Sequence, residues 1–91
     1  MTLLGMDADV VESVGKQLKH EGESVTSVIR TVDGLIERAG ANWWGAHGRD
    51  LAQQWRTVHR PALLKVAGAV DGLGQSAVNN ARERRGVSAA G

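Results

Sequence analysis

Gly40-Ala41-Asn42-Trp43-Trp44-Gly45-Ala46-His47-Gly48 lies near the middle of the chain and divides it. Three Gly and one Asn in nine residues punctuate the backbone, so residues 40–48 read as a turn. On its N-terminal side, Val11, Val14, Leu18, Val25, Val28, Val32, Leu35 and Ala39 follow a 3,4 spacing, broken only by Glu21. That is a helical seam, here read as a helix over residues 7–39. Val10, Ile29 and Ile36 widen the stripe, which suits a helix touching more than one neighbour. Asp7 is placed to cap this helix, with Asp9 and Glu12 beside its positive end. Gly15, Gly22 and Gly34 each cost about 1 kcal/mol relative to Ala, so packing must hold the helix together.

On the other side, a second stripe runs through Leu51, Trp55, Val58, Ala62, Val66, Ala69 or Val70, Leu73, Ala77 and Ala81, flanked by Leu63. It predicts a helix over residues 49–85. Pro61 lies inside it, removes a backbone donor and crowds the preceding turn, so a kink is expected near His59–Ala62. Residues 1–6 read as an N-terminal extension and residues 86–91, small and patternless, as a flexible tail. The fold class is therefore all-α: an antiparallel helix-turn-helix hairpin with arms of about 50–57 Å. Trp43 is expected to pack across the hairpin end, while Gly45 supplies a turn conformation that a Cβ resists. Val14, Leu18, Val25, Val28, Val32 and Leu35 are expected to meet Leu51, Trp55, Val58, Val66 and Leu73, with Val11 extending the row. The flanking apolar positions need a further cover, which docking two hairpins into a four-helix bundle would provide.

Composition excludes several classes. The chain has 91 residues, too few for two domains, and a core this thin makes burial against a partner a realistic source of stability. There is no Cys, hence no disulfide and no thiolate. His20, His47 and His59 form no i,i+3 or i,i+4 pair, so no metal site is expected. The acids follow helix faces as solvating charges, no catalytic constellation is legible, and no cofactor is called for. Residues 1–40 carry net charge −3 and residues 41–91 net +4, a complementarity that orients two arms lying side by side. The overall charge of +1 does not point to nucleic acid. Arg82-Glu83-Arg84-Arg85 reads as a basic cluster favouring the end of the second helix. No secretory leader is legible at the N-terminus and no run is long enough to span a membrane, so ordinary rules place the chain in the cytoplasm.

An acidic helix, a central Trp43-x-Gly45 turn and a second helix of like length resemble the WXG family, the ESAT-like small type VII secretion proteins, over roughly residues 5–85. Ala46, Leu51 and Trp55 are similar to the small and bulky positions that follow the family's motif. The resemblance implies an antiparallel hairpin that dimerises with itself or with a paralogue or effector. It also implies a non-enzymatic role and secretion without a cleaved signal peptide, as substrate or as effector partner. The family's export signal is a Tyr followed four residues later by an acid; here Asn79 and Glu83 occupy those positions, and the chain has no Tyr. Asn offers no ring surface, so the resemblance implies an adaptor that stays cytoplasmic until exported with its partner. A reading from another class is a cytoplasmic regulatory or DNA-associated helical protein using the basic second helix.

Overall fold

The computed structural model describes residues 7–90. Helix α1 spans Ala8–Asn42, α2 spans Ala46–Gln54 and α3 spans Arg60–Ala90, with a π-helical turn, Trp55–His59, joining the last two. Among the described residues there is no strand. α1 packs antiparallel against the second arm, chiefly α3, giving a rod of 67 × 18 × 17 Å. Asp7 begins α1: its carboxylate accepts from the backbone N–H of Asp9 (3.1 Å) and Val10 (3.3 Å).

The turn is tighter than the Gly-rich composition suggests. α1 continues through Gly40, Ala41 and Asn42, and α2 starts at Ala46, so only residues 43–45 lie outside helix. Asn42 Nδ2 bonds back to the Arg38 carbonyl at 2.8 Å, and Trp43 N–H to that of Ala39 at 2.6 Å, which closes the helix end. Gly45 has φ 109° and ψ −175°, a conformation open essentially to Gly alone. Gly48 is not part of the turn. It is a buried helical residue, and a Cβ there would lie 2.6 Å from the Trp43 carbonyl oxygen.

The irregularity expected near Pro61 is a π turn one turn earlier. The Arg60 N–H reaches the Trp55 carbonyl, an i→i+5 bond. In α geometry the Pro61 ring would crowd the carbonyl four residues back and leave it without a donor, and the wider turn just ahead of it relieves this. The second helix does not end at Arg85. α3 runs on to Ala90, since Ala is the strongest helix former and nothing after Gly86 breaks the backbone. The missing apolar pattern there removes a packing signal, not a backbone one. The N-terminal extension at residues 1–6 and the final Gly91 lie outside the described residues.

The seam is rotated by one residue from the stripe read off the sequence. α1 faces its partner arm with Gly15, Gly22, Ile29 and Ile36, and α3 replies with Ala67, Gly74, Val78 and Ala81. Small residues at seven-residue spacing on both arms bring the backbones into contact. A Cβ at Gly15 would stand 2.7 Å from the Gly74 carbonyl oxygen, and one at Gly74 2.5 Å from that of Gly15. Val14, Val28, Leu35, Leu51, Val58, Val66 and Leu73 therefore do not meet inside the hairpin; all stay exposed. Val11, Leu18, Val25 and Val32 are half-buried, and Trp55 alone of the expected second-arm residues is buried, at 8% exposure.

Candidate functional site

The seam has two unlike sides. On one side stand the α1 residues three positions before the seam residues Gly15, Gly22 and Ile36: Glu12, Lys19 and Asp33. Each reaches across to the other arm. Lys19 Nζ donates to Gln75 Oε1 at 2.6 Å. Asp33 accepts from the Trp55 indole N–H at 2.8 Å and from Arg60 Nε at 3.0 Å. Glu12 accepts from Arg85, with Lys16 and Arg82 nearby, and Arg85 also binds Asp9. The bond from Arg85 holds the Glu12 carboxyl below its usual range, and the Arg60 and Trp55 donors do the same for Asp33. Asp9 and Glu12 in turn raise Arg85. These contacts bridge the arms on that side at three levels, from the open end to Trp55.

The opposite side is apolar and open. The α1 residues one position before the seam are Val14, Glu21, Val28 and Leu35, and those before Ala67, Gly74 and Ala81 of α3 are Val66, Leu73 and Asn80. In an antiparallel pair, positions preceding the seam on both helices flank the same side. Val14, Val28, Leu35, Val66 and Leu73 are 46–62% exposed. The half-buried Val11, Leu18, Val25, Val32, Leu63 and Val70 form the floor between them. Val58 and Leu51 continue the apolar surface toward the tip, at 57% and 40% exposure. The accessible surface of the chain is 6812 Å², against roughly 5,100 Å² for a compact monomer of this mass. The excess follows from the elongated shape of the rod, 67 × 18 × 17 Å.

At the tip, Trp43 is half exposed and Trp44 stands almost free at 86%. Trp43 packs against Gly48 across the hairpin end but does not fill the interior. That part is taken by Trp55, whose ring lies in the seam and whose N–H is satisfied by Asp33. An open groove beside it is lined by Asp33, Glu37, Trp55, Arg56 and Arg60, and its central charges already pair with each other. Asn79 and Glu83 are exposed on α3, and Asn79 accepts from Gln75 Nε2 at 2.9 Å. Arg82 and Arg85 do not decorate a helix end, because α3 continues past them; they clasp Glu12 and Asp9 of α1, while Arg84 stays exposed. Among the described residues, no three His, Asp or Glu side chains gather as a metal set, and no helix is long and apolar enough to cross a membrane.

The Asp33–Trp55–Arg60 cluster and the Gly15–Gly74 contact escape a reading based on apolar spacing. The second had a signal in the chain: Gly15 and Gly22, and Ala67, Gly74 and Ala81, repeat at seven residues. Comparison with protein-family models, with curated proteins and with solved structures finds no match.

Proposed function

We propose that this chain is a non-enzymatic interaction protein of a type VII secretion system, acting as an exported substrate or as the partner that accompanies an effector. One observation carries the proposal: a long hairpin bridges one side with cross-arm polar contacts and leaves a largely apolar side open. Such a side is unfavourable in water and suits helix-on-helix docking, so pairing into a four-helix bundle is the natural completion. The Trp43-Trp44-Gly45 tip between two arms of like length supports the WXG likeness, with Gly45 in the conformation such a turn needs. Asn79 and Glu83, in place of a Tyr-based signal, favour the partner role, with export in association. The DNA-associated alternative is the weaker reading, because three of the seven bases after residue 40, Arg60, Arg82 and Arg85, are engaged by acids of α1. The test is secretion. In a host carrying the system, the chain is expected in the culture medium only while the export ATPase is intact. Export that survives loss of the ATPase would overturn the assignment.

A further inference from the structure

Glu21 is the one carboxylate in the middle of the open apolar side. It sits in the exposed row between Val14 and Val28, beside Gly22, whose backbone faces Ala67 and Asp71 of α3. Its helical neighbours at three and four residues are Gln17, Leu18, Ser24 and Val25, none of them basic. Among the described residues no cation lies within ion-pair reach of it. The α3 residues level with it on that side are Val66, Ala69 and Leu73, all exposed. While the hairpin stands alone, water solvates Glu21. Once the apolar side is covered, the same carboxylate must find a cation or become an unpaired buried charge, one of the costlier defects an interface can hold.

A second copy of this chain has no suitable cation. Docked over its full length in the same direction, it sets Glu21 against another Glu21 or against Val66, Ala69 and Leu73. Docked head to tail, it brings the tip-ward half of the face, where Val28, Val58 and Ala62 lie. Laid antiparallel over its full length on a second α1, Glu21 comes level with residue 29, and the α1 cation on this flank, Arg38, lies nine residues beyond that. Bringing it to Glu21 requires a slide of roughly 13 Å at 1.5 Å per residue, which strands apolar surface at both ends. We infer that the open side is built for a different helical chain, one that carries a Lys or Arg in the middle of an otherwise apolar stripe. Glu21 selects that partner and weakens self-pairing. This rests on the pairing reading above and names the chemistry of the partner.

Sedimentation of the purified full chain beside Glu21→Leu and Glu21→Gln tests it, with helicity recorded on each sample to confirm folding. The wild-type chain is expected to stay monomeric at tens of micromolar. Glu21→Leu should self-associate at least tenfold more tightly, and Glu21→Gln should shift the same way by less. If the wild type forms a homodimer as tight as Glu21→Leu, the cation-bearing partner is overturned while pairing itself stands. If Glu21→Leu remains as monomeric as the wild type, the inference falls and the apolar side loses its standing as a pairing surface.

Discussion

Trp55 lies in the seam at 8% exposure with its indole N–H on Asp33, whereas Trp43 keeps 47% of its surface in water. The two rings should therefore contribute unequally to stability. Trp55→Ala removes a buried ring and leaves Asp33 with Arg60 alone, and should cost about 3–5 kcal/mol. Trp43→Ala should cost about 1–2 kcal/mol, since half the ring is already solvated. Urea denaturation of both variants measures the difference, and equal losses would mean that Trp43 fills the interior as well. Gly45 is a residue whose role could be read without coordinates, because a W-x-G tip between helices needs a positive φ and Gly45 adopts 109°. Trp55 was placed on the right face by its spacing, but its partner Asp33 lies on the other arm, and no local pattern announces such a contact.

Each arm is helical for nearly all of its length, and the 3,4 spacing made that legible from Asp7 onward. Spacing locates an apolar stripe, however, and does not say which edge of the stripe meets the neighbouring helix. Here the arms meet at the edge bearing Gly15, Gly22, Ala67, Gly74 and Ala81, since backbones can approach only where side chains are absent. Glycines that look like weaknesses in a helix are thus the residues that allow the close approach. Gly74→Ala tests this at the element scale. Its helix propensity favours the change by about 1 kcal/mol. The new methyl would stand 2.5 Å from the Gly15 carbonyl oxygen and 2.8 Å from the Lys19 backbone nitrogen, so the arms must part. We expect net destabilisation by about 1–3 kcal/mol. Gly72→Ala, with no atom within 4 Å of its added Cβ, should be neutral or stabilising. Thermal melts of the two variants should therefore move in opposite directions, and a stabilising Gly74→Ala would show that the close approach is not needed.

At the scale of the whole rod, the opposite charges of the two halves resolve into specific pairs, with the outermost at the open end. Asp9 and Glu12 near the start of α1 hold Arg82 and Arg85 near the end of α3, across the full span of the chain. The halves' net charges of −3 and +4 foretold that the arms attract. They did not foretell which acids find which bases, because that depends on the level at which the arms are fixed by the Gly15–Gly74 contact. Folding lowers the Glu12 carboxyl from its ordinary 4.5, chiefly through the Arg85 bond. A carboxyl lowered on folding binds fewer protons in the folded chain. Its contribution is therefore fully present above pH 4.5 and disappears as pH falls through the lowered value. Asp33 follows the same sign from 3.8. Arg85, raised further by Asp9 and Glu12, keeps its proton throughout this window and adds no acid-side dependence of its own. Glu12→Gln should thus melt below the wild type at pH 7, and the gap should narrow steadily once the pH drops below about 4.5. Hydrogen exchange should localise the loss to the first turns of α1 and the facing turns of α3, leaving the tip unchanged. A gap between the two melting temperatures that persists undiminished at pH 2 would show that Glu12 acts through packing and not as the anion of the clasp.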